Sequence, residues 1–461
     1  MQIARDVRKH KSFYMGATAI MLPVIAQQLI SALFNFVDNF MVGQLGASSL
    51  AGVSVANKPY TVFMCLFFGF TGAGGMLIAQ YYGARERRTM QQLFGLQIVG
   101  ALVIGTVFFF VLHFFPHVIM GAFVTDPDTM RAGLDYLSMI KYSYIPTAIS
   151  LTCMHSLRAL GKNRMPMVAG FVTMLVNIAL NSLLIFGLCG FPRMGERGAA
   201  LATLIARTVE MLFYLYVLKK ERTPFTLDIG CFRKLPRPVL AMFARKGFPL
   251  TMNEVLWTSG QMIFFWTYAR VQEYALPAIS LLDQTTTIVY VLTAGMSSAS
   301  ASIIGQTLGA GQIEEAKEKA NRLLRLAGML AGACLMLGMG LSFVVPAMYA
   351  NLAQDLRTMA TQLILVQSVL VVPNALYATI FAVLRAGGDT RSAVLLDSGY
   401  MWMAVVPASL LCAFLLPAIG RADVRIAFVT VQVLMNLKVF WALAIIRRGK
   451  WARNMTIGAQ A

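Results

Sequence analysis

AGMLAGACLMLGMGLSFVV, residues 327–345, runs for 19 positions without a charged side chain. With its flanks it reaches the ~20 residues that an α-helix needs to cross a bilayer. Ala101–Phe115 and Met167–Leu188 read the same way, and comparable runs recur along the whole chain between short polar loops. Lipid offers a backbone amide no water to bond, so these runs are expected to be helices. The composition agrees. Of 461 residues, 58% are hydrophobic and 13% charged, against roughly 25% charged in a soluble domain. That deficit excludes a cytosolic enzyme, a nucleic-acid-binding protein and a secreted scaffold. Long apolar runs in place of alternating strands also exclude an outer-membrane barrel.

Spans begin near Tyr14, Leu50, Gln91, Thr129, Met165 and Ala199, then near Phe248, Ala275, Leu323, Thr358, Ser392 and Val424. The basic N-terminus is followed by no small-residue cleavage site, so the first run reads as a retained span. The longest polar stretch, Lys219–Lys246, holds Pro224, Pro236 and Pro238. The domain reading is therefore an N-terminal six-helix lobe over 1–220, a cytoplasmic linker over 221–246, and a C-terminal lobe with its tail over 247–461. The positive-inside rule tests the count. With both termini cytoplasmic, 28 of the 39 Lys and Arg fall in inside segments and 7 in outside loops. The net charge of +19 is thus a topology signal, not a sign of a nucleic-acid partner.

The halves repeat. Ile78-Ala79-Gln80-Tyr81-Tyr82-Gly83-Ala84 matches Ile304-Gly305-Gln306-Thr307-Leu308-Gly309-Ala310 at an offset of 226, which Pro23 and Pro249 share. Leu157-Arg158-Ala159 matches Leu384-Arg385-Ala386 at 227, as do Gly161 with Gly388 and Pro146 with Pro373. Six spans is an even number, so the halves enter from the same side. They are parallel repeats about an axis along the membrane normal, with a central cleft expected between them. The fold class is an all-α integral membrane protein of twelve transmembrane helices in two six-helix repeats, which is a transporter architecture. No GxxxxGK[ST] motif supplies a nucleotide motor, so an ion gradient, a partner or the substrate's own gradient must drive it. The six cysteines form no CxxC pair and the four histidines no cluster, so neither a disulfide framework, a zinc site nor a bound cofactor is expected.

Polar side chains inside a span are costly, about 2.5–3.5 kcal/mol for a carboxylate at the centre on insertion scales. Asp38 follows Gln27, Ser31 and Asn35 at spacings of four, four and three on one face of the first helix. Its bland alternative is a hydrated structural place near the span end. Asn177 and Asn181 stack one turn apart, and Thr203 lies one turn beyond Ala199. With Asp38, two amide oxygens, a hydroxyl and the Ala199 carbonyl this makes a hard oxygen set for sodium. The same carboxylate is equally a candidate proton acceptor, and interhelical hydrogen bonding is the structural alternative for the asparagines.

In the second half Glu254, Thr258 and Gln261 share a helix face with Trp257 beside them, and Asp283, Asp397 and Lys438 lie in later spans. A Lys438–Asp397 ion pair would neutralise both, leaving Glu254 and Asp283 as candidates for a second proton site or for a cationic substrate. Gln28, Ser31 and Asn35 join Trp257 and Thr258 as substrate-cleft candidates. Arg207 and Glu210, three apart, are expected to pair locally.

These segments resemble the multidrug and toxic compound extrusion (MATE) family. The resemblance is carried by Val37-Asp38-Asn39-Phe40-Met41-Val42-Gly43-Gln44-Leu45-Gly46, Asn177-Ile178-Ala179-Leu180-Asn181, Gly305-Gln306-Thr307-Leu308-Gly309-Ala310-Gly311 and Leu384-Arg385-Ala386-Gly387-Gly388-Asp389-Thr390-Arg391. It implies a secondary antiporter of the cell inner (plasma) membrane, which expels amphipathic organic cations in exchange for protons or sodium. It also implies an essential acid at Asp38, with a cation site completed at Asn177, Asn181 and Thr203. Many members carry an aspartate where this chain has Asn181, which favours protons over tightly bound sodium. The partners implied are small-molecule substrates and the bilayer, with a monomer sufficient for transport. The alternative is a lipid-linked oligosaccharide flippase of the same superfamily. Such proteins line the cleft with cations to meet pyrophosphate, whereas Lys58, Lys141, Arg207 and Lys438 are few and scattered.

Overall fold

The computed structural model describes residues 10–220, 223–225, 237–349 and 352–456. The basic residues of the first nine positions, and half of the expected linker, lie outside them. Among the described residues the chain is helical throughout. In order, α1 is Lys11–Gly43, α2 Ala47–Ala56, α3 Lys58–Gly83, α4 Arg87–Phe114, α5 Pro116–Gly121, α6 Pro127–Ile140, α7 Tyr144–Ala159, α8 Arg164–Phe186 and α9 Gly195–Lys220. The second half follows with α10 Arg237–Val271, α11 Leu276–Gly309, α12 Ile313–Met348, α13 Gln354–Ala386, α14 Thr390–Val394, α15 Val406–Ala418 and α16 Val424–Arg447.

Ten of these helical runs are long and apolar enough to cross a membrane. The other two of the twelve spans are the more polar ones. One is α6–α7, broken by a 3-10 turn at Lys141–Ser143, and the other is α10, which carries Asn253, Glu254 and Gln261. The ~1.5 Å rise per residue makes the 33-residue α1 about 50 Å long, well beyond the ~30 Å of hydrocarbon.

The chain divides into two compact units. The first comprises Ala26–Tyr82 and Glu86–Gly247; the second comprises α1 up to Ile25, Gly83–Arg85 and everything from Phe248. Residues 237–246, part of the expected linker, are the first turns of α10. Their charge masks an i, i+4 apolar pair, Val239 and Phe243, both buried. Phe243 meets the Phe70 ring edge-on at 5.3 Å. The first unit's core is aromatic, with Phe63 and Phe108 against Tyr144 at 5.1 and 5.7 Å. The second unit relies on small residues: Ala316, Ala320, Ala327 and Ala331 line one face of α12 and are buried to within 1%. Close backbone approach of this kind is how helices associate where lipid removes the hydrophobic drive.

The repeat is visible in the backbone itself. Lys162 N–H bonds Leu157 O at 3.0 Å, and Asp389 N–H bonds Leu384 O at 3.1 Å. Gly161 and Gly388 stand in the left-handed region at φ 76° and 75°. These are two copies of one Schellman helix end. A second copied end joins Glu86 N–H to Tyr81 O at 3.0 Å and Gln312 N–H to Thr307 O at 3.2 Å, with Arg85 at φ 59° where the second half has Gly311 at φ 80°.

Candidate functional site

Asp38 lies in the last turns of α1, within the first unit, and is 9% exposed. An uncompensated carboxylate there is costly, so its partners define the site. Asn181 Nδ2 donates to Asp38 Oδ1 at 2.7 Å and to Asn177 Oδ1 at 3.1 Å. Asn177 Nδ2 donates in turn to Thr203 Oγ1 at 3.3 Å. The stacking of Asn177 and Asn181 follows from their four-residue spacing. Thr203 reaches them because α9 approaches α8 closely: a Cβ on Gly198 would lie 2.5 Å from Leu184 O. Ala199, fully buried, is one turn before Thr203.

Asn181 Oδ1 is buried without a hydrogen-bond partner. Such an orphaned acceptor needs an explanation, and a bound cation or a proton-bearing group provides one. Asp38, Asn177, Asn181 and Thr203 offer only oxygens to a ligand, with one negative charge. That set fits sodium or a proton. Among the described residues no three His, Cys, Asp or Glu side chains are grouped so as to hold a metal ion.

The expected local pair also forms: Arg207 Nη1 is 2.9 Å from Glu210 Oε2. Among the described residues three carboxylates are buried, Asp38, Glu210 and Asp397. Glu210 and Asp397 each hold a direct ion pair, whereas Asp38 has only the Asn181 amide.

The second unit carries a different cluster. Lys438 Nζ is 2.9 Å from Asp397 Oδ1, as expected. Tyr377 Oη also donates to Asp397 Oδ1 at 2.9 Å, and Asn253 Nδ2 donates to Oδ2 at 3.0 Å. The Lys438 ammonium sits 3.9 Å from the Tyr377 ring centre. Asp397 lies in one of two π-helical turns, Leu395–Gly399 and Met401–Val405. Such turns are rare and frequent at functional sites.

Glu254, expected to lack a cation, has one: Arg385 Nη1 is 3.2 Å from its Oε1. Arg385 stands in the last turn of α13, beside the cytoplasmic turn, yet its long side chain reaches back into its own unit. The first half repeats this contact with a neutral acceptor, Arg158 Nη2 donating to Gln27 Oε1 at 2.7 Å. Both arginines reach 131 residues back.

Asp283 is exposed and has no ion pair among the described residues. Ser31, Asn35 and Trp257 are exposed, while Gln28, Thr258 and Gln261 are half-buried. Ser31 and Asn35 share a face of α1 with Asp38 by their spacing, but are exposed where Asp38 is buried. Asn253 and Tyr377 were missed because nothing in a lone Asn or Tyr marks it as a partner of a distant acid.

The fold and these embedded charges define a multi-pass membrane transporter with two homologous halves. The family model MatE matches residues 23–183 and 249–400, one match in each half, and the chain belongs to that family. It is 23% identical over 433 residues to multidrug resistance protein MdtK of Yersinia pseudotuberculosis, covering 92% of this chain and 94% of the relative. It is 21% identical over 403 residues to the probable multidrug resistance protein YoeA of Bacillus subtilis, covering 86% of each. Among solved structures, a multidrug resistance MATE family transporter in an outward-facing conformation superposes with a TM-score of 0.83 at 18% identity, covering 94% of this chain and 96% of that one. The Vibrio cholerae transporter VcmN in its bent form also gives 0.83, at 17% identity over 95% and 97% of the two chains.

Proposed function

We propose that the protein is a secondary antiporter that exports amphipathic organic cations in exchange for protons or sodium. The observation that carries this reading is Asp38: of the three buried carboxylates among the described residues it alone lacks an ion pair, and an orphaned amide oxygen lies beside it. A carboxylate held by neutral donors can take a cation and release it; one locked to arginine or lysine cannot do so cheaply. The relatives' names, multidrug resistance proteins, support drugs as the cargo class.

Coupling then follows from competition. A proton or sodium ion taken at Asp38 from outside neutralises the site and disfavours cationic cargo. The bare carboxylate, after the ion leaves to the cytoplasm, favours it. Each ligand biases the same alternating-access equilibrium in opposite directions. The distribution of 28 inside against 7 outside basic residues supports a plasma-membrane protein with both termini in the cytoplasm. The flippase reading gains no support from the embedded cations, because Arg207, Arg385 and Lys438 each face a carboxylate and present no free cluster to pyrophosphate.

The test is efflux of a fluorescent organic cation from proteoliposomes under an imposed proton gradient, and separately a sodium gradient. Acceleration by one gradient establishes antiport and names the ion. No response to either removes the reading and moves lipid-linked sugars to the front.

A further inference from the structure

The Asp38 network ends one helical turn from a charged pair that the antiport reading leaves without a task. On α9, Thr203, Arg207, Glu210 and Tyr214 follow at spacings of four, three and four, so they share one face. Thr203 closes the amide chain that begins at Asp38. On the next turn, the Arg207 guanidinium lies 5.2 Å from the centre of the Phe34 ring, and Phe34 is one turn before Asp38 on α1. Arg207 thus leans on the very helix that carries the acid, and the two charges interact electrostatically. Its direct ion pair is nevertheless with Glu210, at 2.9 Å.

A guanidinium so placed is the strongest rival a proton or sodium ion has for Asp38. It carries the same charge, is tethered in place, and offers a planar fork suited to a carboxylate. Left without a partner in a low-dielectric interior, it would close on Asp38. The phenols of Tyr60, Tyr136 and Tyr214 also feel one or both of these charges, but supply no carboxylate. Glu210, 7% exposed, is the group that does.

We infer that Glu210 is a positioning residue: it holds Arg207 away from Asp38 and thereby keeps the Asp38 carboxylate open to the coupling cation. This rests on the reading of Asp38 as the coupling site. It also gives the four-residue stripe on α9 a division of labour, in which Thr203 completes the site and Glu210 guards it.

Four proteins test the inference: wild type, Glu210→Gln, Arg207→Gln and the double variant. In proteoliposomes, the quantity to read is the concentration of coupling cation that gives half-maximal efflux of a fluorescent organic cation. Glu210→Gln should raise it about tenfold, within the 5–150-fold range typical of coupled sites, with the rate at saturating cation little changed. Arg207→Gln should lower it, and the double variant should return close to wild type. A purely structural Glu210 would change the yield of folded protein, which removing Arg207 would also restore, but would leave the half-saturating cation concentration of the folded fraction at the wild-type value. Unchanged half-saturation in Glu210→Gln, or a double variant as impaired as the single, overturns the inference. Should Glu210→Gln not fold, Glu210→Asp, with a shorter arm, takes its place with the same expected order.

A wild type without cation-driven efflux would end the export reading instead. Labelling of Asp38 by a hydrophobic carbodiimide, to which a protonated carboxyl adds through its oxygen while its proton passes to the carbodiimide nitrogen, then decides the inference alone. Labelling that falls in Glu210→Gln and recovers in the double variant supports it; equal labelling in all four overturns it.

Discussion

Asp38, Glu210 and Asp397 are each less than a tenth exposed, and what each touches separates them. Asp397 is saturated by Lys438, Tyr377 and Asn253, which is how a structural buried charge is kept. Lys438→Met should therefore destabilise by about 3–5 kcal/mol by leaving Asp397 uncompensated, and Asp397→Asn on top of it should recover a large part. Thermal unfolding in detergent reads both; equal loss in single and double would argue against an uncompensated charge. Asp38 depends on Asn181. Asn181→Ala removes its donor and should cost about 1–3 kcal/mol, with a weaker response to the coupling cation. Normal cation dependence in that variant would detach Asn181 from the site. Asp38, Asn177, Asn181 and Thr203 were legible in the sequence because polar side chains at helical spacing stand out in apolar runs. The Arg385 contact was not, since its partner lies 131 residues away on another helix and sequence distance says nothing of reach.

Helices bring those residues together through their closest approaches. Gly198 admits α9 to within contact of the α8 backbone at Leu184, three residues beyond Asn181. Gly198→Val should force the helices apart, break the Asn177–Thr203 bond, and lower both stability and cation-driven efflux. Unaltered efflux would show that this approach does not set the site. At the start of α6, Asp126 accepts from the Thr129 hydroxyl at 2.6 Å and amide at 2.9 Å. Those hydrogen bonds hold its exposed carboxyl below the ordinary range. A lowered folded pKa means the cap contributes fully above the unfolded value near ~3.9, and is lost as pH falls through the folded one. The stability difference between wild type and Asp126→Ala should shrink as pH falls through that window; a difference independent of pH would refute the cap. At this scale the spans were legible from length and hydropathy. The π-helical turns were not, because nothing in Leu395–Val405 breaks a helical pattern, and the start of α10 was hidden by its charges.

Over the whole molecule, duplication sets the architecture and divergence sets the roles. Helix ends, left-handed positions and the inward-reaching arginines are copied between the halves. The acids are not: the second half neutralises Glu254 and Asp397 by direct ion pairs, and the first leaves Asp38 free of one. The repeat was legible because an offset of 226 or 227 persists across six spans, whereas the difference in charge pairing is a property of side-chain contacts. The central claim is that ion coupling resides at Asp38. Its most direct test compares wild type with Asp38→Asn in proteoliposomes, under the gradient to which wild type responds. Ion-driven efflux should vanish while the variant folds and inserts at near wild-type yield. Undiminished ion-driven efflux by Asp38→Asn would contradict the account.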